Sequence, residues 1–121
     1  MLRLILDEKD IHPFIKEKIS ANYREVIDEV VLAQEGQGIV VVGMAGNPFV
    51  KKARKLLIDN GIEFEYLQYG SYLSQWRKRN ALKMWSGWPT FPMVFVNKQL
   101  IGGFDDLQKL LNSSELQKLI A

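Results

Sequence analysis

Trp88-Pro89-Thr90-Phe91-Pro92-Met93-Val94-Phe95-Val96, followed by Leu100-Ile101-Gly102-Gly103-Phe104-Asp105-Asp106, is the stretch on which the fold turns. Two prolines stand three apart directly before an apolar, β-rich run. Proline has no amide donor and is tolerated in a sheet only at an edge, a bulge or a strand's start, so a strand is expected to begin at Met93. Asn97-Lys98 then turns the chain back into Leu100-Ile101 as a hairpin. At Pro92 the pattern invites a cis peptide bond. Such a turn leaves the amide and carbonyl of Phe91 facing outward, able to pair with an extended peptide as an added strand would. An ordinary rigid turn is the competing reading. Gly102-Gly103 lets the backbone bend and approach something closely, and free amides at the next helix start make a site for a carboxylate. Asp105 and Asp106 equally suit simple capping of that helix through its dipole.

Working outward from this segment, Ile39-Val40-Val41-Val42 is a short β-branched run of the kind found in a central strand covered on both faces. A second strand is expected beside it. Asn47-Pro48 opens a helix whose stripe is Phe49, Ala53, Leu56 and Leu57, and Asn60-Gly61 closes it, with proline first and glycine last. Ile62 to Leu67 alternates as a strand, and Tyr72 to Trp85 is expected to be helical. Upstream, Ile15, Ile19, Tyr23, Val26, Ile27 and Val30 fall three or four apart, predicting one helix from Pro13 to about Glu35. Downstream, Phe104 to Leu111 and Ser114 to Ile120 are short helical segments. A βαβ unit, then an antiparallel hairpin, all covered by helices, is the order of the thioredoxin architecture, although other small α/β folds give similar strings.

The chain has 121 residues, a length suited to one domain with a single core. Residues 1–36 are expected to form an N-terminal extension and first helix, and residues 38–119 the core. A net charge of +2 is too small to imply a nucleic-acid partner. The apolar start, Met1 to Leu6, is too short for a signal segment, and no run approaches the roughly 20 residues that span a bilayer. No membrane association is expected, and the expected location is the cytoplasm. There is no cysteine. A thiolate is the nucleophile of disulfide exchange and the soft ligand of iron–sulfur clusters, so neither role falls to a side chain of this protein. No metal site is expected, and His12, alone beside Pro13, is not a ligand candidate.

The run from Trp88 to Leu107 resembles the C-terminal half of glutaredoxins, particularly the monothiol class, in which WPT-x-P precedes a hairpin and a GG-x-D turn. A looser likeness extends from about Gly38 to Leu119. The resemblance implies an α/β, thioredoxin-like fold: a four-stranded mixed sheet flanked by helices, here with an N-terminal helical extension. It also implies a glutathione groove. In that family the backbone before the cis proline pairs with the cysteinyl unit, the GG-x-D amides and aspartate hold the γ-glutamyl end, and a basic residue before the tryptophan takes the glycyl carboxylate. Carried over, the glutathione-binding residues are Thr90, Phe91 and Pro92, then Gly103, Phe104 and Asp105, with Lys83 as the basic residue.

Where the family places its catalytic cysteine, this chain has Asn47, in Asn47-Pro48-Phe49-Val50. Asparagine is among the best N-cap residues, and its carboxamide cannot attack a disulfide. The loop before it, Met44-Ala45-Gly46, is uncharged where monothiol members carry a lysine. Within Tyr72 to Trp85, Arg79 and Lys83 stand one turn apart, as do Trp76 and Asn80. That helix reads either as a basic, aromatic-edged face for an anionic ligand or acidic partner, or as tryptophans packed inward beneath solvated cations. Two functions follow. One is a binding module, without chemistry of its own, for glutathione or an extended peptide of a protein partner. The other is a glutathione-dependent enzyme working through the ligand's own thiol.

Overall fold

The computed structural model describes residues 1–120, and β1 (Ile39–Gly43) lies at its centre. Its partners are β2 (Glu65–Gln68), running parallel, and β3 (Met93–Val96), running antiparallel; β3 pairs in turn with β4 (Gln99–Gly102). The result is the expected four-stranded mixed sheet, in the order β2-β1-β3-β4. Asn97 and Lys98 both take left-handed backbone angles, φ 48° and 70°, as a two-residue type I′ hairpin requires.

The unbroken valine run of β1 is explained by its two covered faces. Val40 and Val42 join Met93 and Phe95 beneath α2 (Arg24–Gly36) and α4 (Trp76–Ser86), whose Val26, Val30 and Leu82 are buried there. Ile39 and Val41 join Val94 and Val96 on the opposite face. There they meet α3 (Pro48–Asp59), α5 (Phe104–Asn112) and α6 (Glu115–Ile120) through Ala53, Leu57, Leu107 and Leu116. The end of α3 is a Schellman motif: the Ile62 amide donates to the Leu57 carbonyl and the Gly61 amide to that of Ile58, with Gly61 at φ 66°.

Three expectations are corrected. The helix read from Pro13 to Glu35 is two helices, α1 (Pro13–Ala21) and α2, separated at Asn22 and Tyr23, the latter left-handed at φ 49°. The apolar stripe runs through the break, but only α2 reaches the sheet; α1 buries no residue, and Phe14, Ile15 and Ile19 are exposed. The second strand starts at Glu65 rather than Ile62; Ile62 and Phe64 pack against the core without joining the ladder. Finally, α4 starts at Trp76 rather than Tyr72. Ser71 and Ser74 bond to each other and to nearby amides, and this local bonding competes with helix formation.

On α4 the expected burial is inverted at two positions, Trp76 and Arg79, while Arg77 stays exposed. Trp76 is 55% exposed, whereas Arg79 is 7% exposed. Arg79 Nη1 donates to the carbonyls of Tyr69 (3.0 Å) and Ser74 (2.5 Å), fastening the segment before α4. That segment in turn holds the loop after β1, because the Ala45 amide donates to the Gly70 carbonyl at 2.8 Å. Tyr69 is itself buried, and burial first, then the Glu29 carboxylate, pushes its phenol far above the ordinary range. None of the helices is long and apolar enough to cross a membrane among the described residues.

Replacing Arg79 by methionine keeps an apolar stem and leaves two carbonyls without their donor. We expect the folded state to lose about 1–3 kcal/mol, read as a lower urea midpoint at unchanged m-value. An unchanged midpoint would mean that the segment is held by other contacts.

Candidate functional site

Four pieces of chain converge at the C-terminal end of β1. There β1 passes into α3 through Asn47, and the register pairs Val42 with Met93, bringing the Phe91-Pro92 turn to the same end. Gly102, paired with Val94, delivers α5 beside it. The Phe91–Pro92 peptide bond is cis.

At the head of α3, Asn47 Oδ1 accepts hydrogen bonds from the amides of Phe49 (2.9 Å) and Val50 (3.1 Å), with Pro48 at the first helical position. The same side chain reaches across the site: Nδ2 lies 3.5 Å from the Phe91 carbonyl, to which it donates. Asn47 thus caps its own helix and joins it to the proline turn. Its carboxamide has no nucleophilic role open to it, and it occupies the two amides that would otherwise face an anion at this helix start.

At the head of α5, the Gly103 amide donates to the Asp106 carboxylate at 3.0 Å, closing the first turn from within. This specifies what the two aspartates do. Asp106 is the capping residue, Asp105 is exposed, and Gly103 has its amide already engaged. The amides of Phe104 and Asp105, in the first helical turn, have no intrahelical acceptor. Gly102 must be glycine: at φ 108° a Cβ would collide with the Asp106 carboxylate.

Between these two helix starts lies a groove of about 230 Å³. Thr90, Phe91 and Pro92 line one side, Gly103, Phe104 and Asp105 another, so six of the residues expected from sequence stand together. Lys83, the seventh, does not line it. Its ammonium sits over the Phe91 ring, 5.7 Å from the centroid. Sequence reasoning missed Phe49, Trp88 and Asp106 as lining residues, and Lys52, whose ammonium lies 5.3 Å from the Phe49 centroid and 6.0 Å from that of Phe104. The i, i+3 spacing of Phe49 and Lys52 on a helix was the available signal. The buried indole Nε1 of Trp88 has no hydrogen-bond partner among the described residues. His12 caps α1, far in sequence from this groove, through Nδ1 on the Phe14 amide. No group of three or more metal-ligating side chains is present among the described residues.

Fold and site define a thioredoxin-fold protein with a groove between two helix starts and a carboxamide, that of Asn47, at the head of α3. A profile of the glutaredoxin family matches residues 39–101, and the chain belongs to that family. It is 48% identical over 98 residues to a glutaredoxin-like protein of Dictyostelium discoideum, covering 81% of this chain and 80% of that one. Against glutaredoxin 3 of Danio rerio it is 37% identical over 82 residues; the match takes in 61% of this chain and only 24% of that longer protein. Among solved structures, a buckwheat glutaredoxin–glutathione complex superposes with a TM-score of 0.71 at 18% identity, covering 87% of this chain and 92% of that one, a likeness of fold.

Because the Asn47 side chain supplies the cap, Asn47→Ala should cost about 1 kcal/mol of stability, while Asn47→Asp, which keeps an acceptor at a helix start, should cost little. Urea unfolding of the two variants checks this; an Asn47→Ala chain as stable as the natural one would show that the cap is dispensable.

Proposed function

We propose that this chain is a non-catalytic member of its family that binds glutathione, or an extended peptide of similar backbone, in the groove between α3 and α5. The reading rests chiefly on one observation: the groove is assembled while the thiol position is filled by a capping asparagine. In this reading the Phe91 backbone pairs with the cysteinyl unit and the Phe104 and Asp105 amides receive the γ-glutamyl carboxylate. Lys83 faces the glycyl end. Family membership supports this assignment, as does the fold shared with a glutaredoxin that carries glutathione in its complex.

The alternative, an enzyme working through the bound ligand's thiol, requires the start of α3 to stabilise a thiolate. The Phe49 and Val50 amides, which would do so, are taken by Asn47 Oδ1. That favours holding the ligand over activating it.

Titrating isotope-labelled protein with reduced glutathione should give saturable shifts of the Phe91, Phe104 and Asp105 amides, with turnover of a glutathione-mixed disulfide no higher than the uncatalysed rate. Asn47→Cys should gain measurable exchange. Absence of shifts at millimolar glutathione would overturn the binding reading, and turnover by the natural chain would overturn the non-catalytic one.

A further inference from the structure

We propose that Lys52 is a specificity-determining cation of the groove, reading the carboxylate at the α5 end of the ligand; this rests on the glutathione reading above. Lys52 stands one turn into α3, and its ammonium is near two aromatic rings at once, those of Phe49 on α3 and Phe104 at the start of α5. Both residues line the groove, so the charge of the exposed Lys52 stands beside it, near the starts of α3 and α5. Cation–π contact favours this placement of a side chain that would otherwise sample open solvent.

The charge is also unspent. Five ion pairs form among the described residues, and Lys52 takes part in none. The nearby carboxylates are differently committed: Asp106 accepts from the Gly103 amide, while Asp105 is exposed. The loop from Met44 to Asn47 carries no charge, and on α3 it is Lys52 whose ammonium lies near the Phe104 ring. The Lys83 ammonium lies over the ring of Phe91. Each of the two ammonium groups therefore lies near the ring of a residue that lines the groove.

That arrangement suits a ligand with a carboxylate at each end. The α5 end offers two free amides, the Lys52 ammonium and the Asp105 carboxylate. Together they match the zwitterionic head of a γ-glutamyl group: its α-carboxylate to the amides and Lys52, its α-ammonium to Asp105. Lys52 is thereby a determinant that separates γ-glutamyl ligands from peptides lacking that head.

The test measures dissociation constants by amide-shift titration for the natural chain, Lys52→Met and, as a control on the same helix, Lys51→Met. The ligands are glutathione and its two monoamides, one blocked at the γ-glutamyl α-carboxylate and the other at the glycyl carboxylate. Lys52→Met should weaken glutathione and the glycyl amide about fivefold, cause no further loss for the glutamyl amide, and differ from an unaffected Lys51→Met. Equal affinity of Lys52→Met and the natural chain for glutathione would overturn the assignment of Lys52 alone. An equal loss for all three ligands would overturn it too, reducing the effect to net charge. If the natural chain binds no glutathione, the failure lies with the binding reading itself.

Discussion

The two-sided burial of β1 and β3 is the constraint from which the site follows. A strand covered on both faces must be apolar at every position, and Ile39–Val42 and Met93–Val96 are. Because β3 is antiparallel to β1, the end of one strand and the start of the other lie at the same edge of the sheet. Helices α3 and α5 then pack on one face, with α3 starting where β1 ends and α5 starting where β4 ends. A groove between two helix starts, floored by the proline turn, is the geometric consequence.

Within that frame Asn47 makes structural bonds at the head of α3. A cysteine at a helix start derives its reactivity from the amides and dipole around it. Asparagine at the same place uses two of those amides itself and extends its Nδ2 to the Phe91 carbonyl. The proline turn and the α5 start are formed without a thiol, through the β1–β3 register and the Asp106 cap. The fold and the groove are thus built without a thiol, since the chain has no cysteine and the groove is assembled all the same.

Much of this was legible in the residues. The continuous valine run, the proline-first and glycine-last helix from Pro48, and the double proline before Met93 each specify a local geometry that little else satisfies. Periodicity was less informative where tertiary context decides. The stripe from Ile15 to Val30 cannot reveal that the chain turns at Tyr23, because both helices keep the same spacing. Arg79 offered no sign that it would be buried among carbonyls while Trp76 stayed outside, because composition ranks them the other way. Lys52 escaped notice because its partner Phe104 lies on a helix distant in sequence, and the engagement of Gly103 by Asp106 is a contact that the motif alone leaves ambiguous between capping and ligand binding.

The central claim, a working ligand groove without a nucleophile, is tested most directly by a crystal structure of the chain grown with reduced glutathione. The account predicts the ligand extended between α3 and α5, its cysteinyl backbone on Phe91, its γ-glutamyl carboxylate at the Phe104 and Asp105 amides, and its thiol free beside Asn47. An empty groove at saturating ligand, or glutathione bound elsewhere on the surface, would contradict it.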